Sequence, residues 1–268
     1  MVSADRAWAD CLQEILRHGI PRAPRGLETL EIPHRTLVMD MSLPVVTNKE
    51  RKLSYQFMAA EAYWIMTGDN RVSTIAPYNK NISAFSDDGE VFFGAYGPPI
   101  KDQLPYVLKS LAADQETRQA GLTIWRPSPL PSKDIPCTVA IWFRRIHHNL
   151  TVHVFMRSSD AWLGVPYDIF NFSMLGHLVC AKLNEMNRGE ECISPSTLYV
   201  TMVSSHLYLK NADDARRCLA HIPTLNTAPT PTDLFRSSVT LETWLKSLRE
   251  SRHGSPLRWW EEGDIWWN

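Results

Sequence analysis

The chain has 268 residues, 44% hydrophobic and 21% charged, an ordinary globular composition with room for a substantial core. Its 28 Lys and Arg against 29 Asp and Glu leave a net charge of -1. That balance excludes the basic field that holds polymeric nucleic acid or an anionic membrane, so any phosphate must be gripped by a few local arginines.

Five cysteines, Cys11, Cys137, Cys180, Cys192 and Cys218, are odd in number, dispersed and without C-x-x-C spacing. They argue against a disulfide framework or a zinc site and for a reduced, cytoplasmic setting with no bound metal. No signal-peptide core opens the sequence, and no run of about 18 apolar residues crosses it.

Trp8, Leu12, Ile15 and Leu16 share one stripe and predict a helix over residues 5–18, broken by the basic loop "GIPRAPRG". Residues 29–47 read as strand segments interrupted by proline, and residues 49–68 as a helix of about five turns ending at Gly68. Residues 70–103, rich in Asn, Asp, Gly and Pro, form a long irregular excursion of the kind that carries function or is disordered. A third helix follows over 101–117, then strands "AGLTIW" and "CTVAIWF", and a hairpin turn "IHHN" into "LTVHVFMR". Residues 169–186 are apolar nearly all round and predict a central helix packed on both sides. "STLYVTMVSSHLYL" alternates as one more strand, and "HIPTLNTAPTPTD" is a Pro/Thr-rich loop. The tail "RWWEEGDIWWN" carries four tryptophans, read as packing back onto the body. The whole of residues 1–268 reads as one α+β domain.

Several residues stand out chemically. Cys137 sits after a proline at the mouth of a strand, and Arg157 falls at the end of the strand expected beside it. An adjacent guanidinium lowers a thiol's pKa from about 8.5, which would make Cys137 a nucleophile rather than a small buried hydrophobe. Glu61 lies mid-helix among apolar neighbours; buried, its pKa would rise to suit proton shuttling, and otherwise it would face solvent or pair with an arginine. His206 and Tyr208 project from one strand face, as sugar ligands or as ordinary packing. Asp168 follows "WLGVPY" and by local pattern is the N-cap of the helix from Ile169. Two other function classes fit some of these features. A cysteine hydrolase would pair Cys137 with His153 or His206, and a non-catalytic nucleotide-binding dimer would bind ligand without Cys137.

In chain order, the motifs over residues 5–210 resemble the thymidylate synthase family. "LPVVTNKERKLSYQFMAAEAYWIMTGD" resembles the segment leading to its catalytic glutamate, and "FFGAYG" its tyrosine loop. "PSPLPSKDIPCTVAIWF" is similar to its nucleophile loop, "FMRSSDAWLGVPYDIFNFSMLGH" to its most specific stretch, and "SSHLYLKN" to its nucleotide-sugar strand. The resemblance implies an α+β fold whose large mixed sheet is flanked by helices and packed back to back in a homodimer with shared active sites. It implies Cys137 as the nucleophile toward C6 of a pyrimidine, Glu61 as a proton relay and Tyr96 in removal of the C5 proton. Arg157 and Ser158, with Arg22 or Arg25, would hold the 5'-phosphate, and Arg118 would reach the phosphate in the neighbouring subunit. His206 and Tyr208 would meet the ribose. Asp160, Gly164 and Lys49 would meet the co-substrate, 5,10-methylenetetrahydrofolate.

Four positions depart from the synthase pattern. Asp168 stands where synthases read uracil with Asn; a carboxylate can take the amino proton of cytosine, so the expected substrate is CMP or dCMP. The same replacement occurs in the family's cytidylate hydroxymethylase branch, and the sequence resembles the CMP enzymes of nucleoside-antibiotic pathways more than the phage dCMP enzymes. The ending "EEGDIWWN" replaces the short apolar peptide that seals synthases, so water would add to the exocyclic methylene and give 5-hydroxymethyl. Arg118-Gln119 replaces an arginine pair, and Thr138 a histidine. Lys133 would reach a 2'-hydroxyl or stay a solvated loop lysine. Within the family, dUMP methylation is the alternative.

Overall fold

The computed structural model describes residues 2–188, 190–222, 229–231 and 233–251. The tryptophan-rich tail and much of "HIPTLNTAPTPTD" lie outside them. Helix α1 (Ala4–His18) forms on the expected stripe, with Trp8, Leu12 and Ile15 buried and the Ser3 hydroxyl accepting from the Arg6 amide. The basic loop becomes a short edge strand, β1 (Ile20–Arg22), and a 3-10 turn over Pro24–Gly26. Strand β2 (Thr29–Asp40) is continuous, which corrects the expectation of segments parted by proline. His34 takes φ 62 beside Pro33, and the pairing resumes at Arg35 in the same register.

Helix α2 (Tyr55–Met66) has 12 residues, about three turns rather than five. Lys52 in the left-handed region ends a separate 3-10 turn, and the Ser54 hydroxyl then caps α2 by accepting from the Phe57 amide. The excursion holds α3 (Val72–Ile75) and a 3-10 stretch over Lys80–Phe85. Helix α4 (Gly97–Ala113) begins before Lys101, because proline suits a first turn whose amides have no partners.

Strands β3 (Gly121–Thr123), β4 (Thr138–Ile146), β5 (Asn149–Met156), β6 (Ser159–Asp160) and β7 (Ser194–Tyr208) complete the sheet. Its order is β1-β2-β7-β5-β4-β3, with β6 beside β7. The β5/β7 and β6/β7 pairs are parallel and the others antiparallel, so the sheet is mixed.

Between β6 and β7 runs α5 (Val165–Met186), packed against β5, β7, α2 and α4. Phe170, Phe172 and Met174 are buried along it, each stabilising the core by about 1.5–3 kcal/mol. Two helices went unanticipated, α6 (Ala212–Ala220) and α7 (Ser238–Glu250), although Leu241, Leu245 and Leu248 form a buried helical stripe. Away from α5 the sheet exposes Val38, Trp142, Phe155 and Val203. Among the described residues, no helix is long and apolar enough to cross a membrane.

Candidate active site

Helices α2 and α5, the loop before α4 and the loop before β4 converge on a cavity of about 160 Å³. Glu61, Tyr96, Asp134, Asp168 and Asn171 supply its polar wall, and Trp64, Ile82, Phe85 and Phe92 its apolar one. Glu61 faces it from α2, where Asn171 Nδ2 donates to Oε2 at 2.7 Å. Burial pushes the Glu61 carboxyl up to about 7; the Asn171 bond opposes this and the nearby Asp168 charge adds to it.

Asp168 is not an N-cap. The helix starts earlier, at Val165-Pro166, with Gly164 as its cap residue, and the Asp168 amide already donates to Gly164 O at 2.9 Å inside the first turn. The carboxylate is thereby free to face the cavity, where Oδ2 accepts from Ser159 Oγ at 3.1 Å. Burial pushes this acid up to about 6. A Cβ at Gly164 would lie 3.2 Å from Asp168 Oδ2 and 3.2 Å from Asp160 O, so glycine is what lets the acid settle there.

Cys137 ends the loop leading into β4, and its carbonyl accepts from the Arg157 amide at 2.9 Å, as strand pairing predicted. The Arg157 guanidinium braces the same loop, Nε donating to Pro136 O at 2.9 Å and Nη2 to Ile135 O at 2.8 Å. The expected lowering of the thiol pKa is overturned. Burial pushes the Cys137 thiol up; Arg157 and Arg25 oppose this, while the Asp168 and Asp134 charges reinforce it. The Thr138 amide donates to the Tyr96 hydroxyl at 3.3 Å, and the Tyr96 ring stacks on Phe172. Burial, then the charges of Asp168 and Cys137, raise that phenol well above its ordinary value.

Of the two loop arginines, Arg25 lies near enough for its charge to act on both Cys137 and His206, and it sits at φ 56, a left-handed conformation that non-glycine residues seldom adopt. Arg22 is exposed on β1. Ser158 Oγ lies 3.4 Å from His206 Nδ1, and His206 meets Tyr208 edge-on at 5.4 Å, so both share a face as alternation required. Asp160 Oδ1 accepts from the Trp162 and Leu163 amides, while its buried Oδ2 has no partner among the described residues.

Of the expected site residues, Glu61, Tyr96 and Asp168 line the cavity; Cys137 and the expected phosphate, sugar and folate ligands do not. Lys133 is exposed and leans on Ser86 O at 3.5 Å, Arg118 is exposed on the turn after α4, and Lys49 is exposed on its 3-10 turn. It is Arg51 of that turn that packs, donating to Trp162 O and lying 4.5 Å over the Trp162 ring. His153 stacks on Tyr199 at 4.6 Å on the sheet face away from α5, which removes it as a partner for Cys137.

A sequence-family description of thymidylate synthase matches residues 6–240. The chain belongs to the thymidylate synthase family. A deoxyuridylate hydroxymethyltransferase of Bacillus phage SP01 is 31% identical over 179 residues, covering 59% of this chain and 46% of that relative. The chain thus spans about half the length of the curated relative it matches. Thymidylate synthase-family enzymes transfer one carbon to a pyrimidine nucleotide with 5,10-methylenetetrahydrofolate as co-substrate. The α+β expectation holds for this family member, with a mixed sheet flanked by helices.

Sequence reasoning missed the polar and aromatic lining residues Trp64, Asp134 and Asn171 of this synthase-like cavity, and Ser159, which donates to Asp168. Asn171 carried a usable signal. It is a lone amide in an otherwise apolar run, three residues after Asp168 and so on the same face of a helix.

Proposed function

We propose that the chain transfers the methylene of 5,10-methylenetetrahydrofolate to C5 of a cytosine nucleotide, CMP or dCMP, with addition of water, giving the 5-hydroxymethyl nucleotide and tetrahydrofolate. The observation that carries this reading is the Asp168 carboxylate turned into the cavity and held by Ser159. At pH 7 an acid with a pKa of about 6 is mostly ionised. It then accepts from the N4 amino group of cytosine, and from N3 once that atom is protonated.

Cys137 is the nucleophile toward C6, its proton leaving as the thiol meets the ring. Tyr96 assists loss of the C5 proton, and Glu61, near neutrality, relays protons through water. Arg157, Ser158 and Arg25 take the 5'-phosphate, with Arg22 at the rim. His206 and Tyr208 take the ribose, and Lys133 the sugar edge. The folate supplies one carbon at the oxidation level of formaldehyde and leaves as tetrahydrofolate. The residues present fit it: the unpartnered Asp160 Oδ2 offers a buried acceptor, Trp64 and Phe85 offer aromatic wall, and Gly164 and Lys49 are the further contacts this reading assigns to the folate. A homodimer fits the bare apolar sheet face at Val38, Trp142, Phe155 and Val203 and would give Arg118 a neighbouring phosphate to reach.

The SP01 relative's name supports a second reading, hydroxymethylation of deoxyuridylate. A protonated Asp168 would donate to O4 and accept from N3-H of uracil, as an amide does. One assay separates the two. The protein is incubated with C5-tritiated CMP, dCMP, UMP or dUMP, with and without the folate, and tritium release and product mass are followed. Cytosine nucleotides should release tritium and gain CH2O. A 5-methyl product, or dihydrofolate, overturns hydroxymethyl transfer, and activity on uracil alone overturns the choice of base.

A further inference from the structure

We propose that Asn171, together with Glu61, holds the water that becomes the hydroxyl of the product; the inference rests on the hydroxymethyl-transfer reading above. Asn171 is 5% exposed and lines the cavity. With Glu61 ionised, only the NH2 end of the amide can face the carboxylate, which fixes the orientation: Nδ2 donates to Glu61 Oε2 at 2.7 Å. The other end, Oδ1, is then a buried acceptor with no partner among the described residues. A lone buried acceptor costs about 1–3 kcal/mol, which an ordered water removes.

Oδ1 and the Glu61 carboxylate are adjacent acceptors, and water has two protons to give. A molecule donating both keeps its lone pairs for attack. Its place relative to the substrate follows from the helix. Asn171 lies one turn from Asp168 on the same face, about 5–6 Å between side-chain bases. If Asp168 reads the amino group on C4, the neighbouring C5 and its substituent lie toward Asn171. The step balances without any further reactant. The water oxygen bonds to the exocyclic carbon on C5, and one of its protons goes to Glu61. The electron pair of the exocyclic double bond moves into the ring toward C4–N3, then returns to restore C5=C6 as the Cys137 thiolate leaves C6.

The test compares product with tritium release in the same reaction. Asn171→Leu keeps the shape and loses both polar ends, whereas Asn171→Asp keeps an oxygen acceptor and can share a proton with Glu61. We expect 5-hydroxymethyl product per tritium released to fall at least tenfold in Asn171→Leu and to return to within about threefold of wild type in Asn171→Asp. Trapping by an added small thiol should rise in the Leu variant. If the Leu variant does not fold, Asn171→Ala carries the same comparison. An unchanged ratio, or tritium release and product falling in parallel, overturns the assignment and leaves hydroxymethyl transfer standing. A wild-type protein that releases no tritium from any nucleotide overturns both.

Discussion

Replacing Asp168 with Asn exchanges an acceptor-only group for one that offers both an acceptor and a donor, and the exchange acts oppositely on the two bases. A well-placed pair of contacts to a base edge is worth about 1–3 kcal/mol of discrimination. The variant loses that preference for cytosine and gains it for uracil, so the ratio of kcat/KM values should move by about 2–6 kcal/mol, at least about 30-fold. The fold should tolerate the change, because the amide carbonyl of the variant still accepts from Ser159 Oγ where the carboxylate does now, at 3.1 Å. The assay is competition between CMP and UMP, and between dCMP and dUMP, in one tube with the folate. An internal control comes from pH. Asp168 has a pKa of about 6, so the wild-type preference for cytosine should weaken as pH falls from about 7.5 to about 5, whereas the preference of the Asp168→Asn variant should not change with pH over that span. The 5'-phosphate titrates in the same range but is common to both substrates, so only the ratio reports the acid. An unchanged ranking in Asp168→Asn, or a wild-type ratio flat across pH 6, refutes the account of base selection.

The remaining predictions concern the charges buried beside it. Folded-state values of about 7 for Glu61 and about 6 for Asp168 lie above the ordinary 4.5 and 3.8, so the native state holds these protons more tightly than the unfolded chain. The stability they contribute is full below the unfolded values and is lost as pH rises through about 6 to 7, each ionised acid costing on the order of 3 kcal/mol. Glu61→Gln and Asp168→Asn should therefore raise Tm by several degrees at pH 8 and by little at pH 4 in calorimetric scans; equal shifts at both pH values would contradict the sign. If Glu61 works as a base, kcat/KM rises with pH through about 7, and Glu61→Gln should lose both that limb and roughly a hundredfold in rate. Cys137→Ala should release no tritium from C5 while binding CMP within a few-fold of wild type by calorimetry. Residual release would remove Cys137 as the nucleophile.

How much of this was legible in the sequence depends on which interaction decided each feature. Periodicity decided α1, β5 and β7, which appear where the pattern put them, and it decided the body and end of α5 but not its start. The length of α2 was decided by a hydroxyl cap at Ser54 and a left-handed Lys52, local events that an apolar run does not advertise. The neighbourhood of Cys137 and Arg157 followed from strand pairing. The thiol's pKa did not, because it depends on burial and on two acids, Asp134 and Asp168, brought in from other elements. Asp168 was read as a cap from its place before an apolar run. Pro166 moved the helix start back by one turn and turned the same residue into the cavity.

Burial without a fixed counter-ion explains why Glu61, Asp168 and Cys137 all lie above their ordinary pKa values. Arg157 is the cation that acts most on the nucleophile, yet two of its donors are tied to the carbonyls of Ile135 and Pro136, and its influence on the thiol loses to burial. The donors that an ionised Asp168 lacks must then come from the substrate. Cytosine offers its N4 amino group, and a second donor at N3 when that atom takes a proton to neutralise the negative charge that builds on the ring as the thiolate adds to C6. A cavity of this kind favours the covalent adduct over the free nucleotide, which is the difference that lowers a barrier. Uracil sets its O4 acceptor against an ionised Asp168 where cytosine sets the N4 amino donor, so one contact becomes repulsive and only the N3-H bond remains.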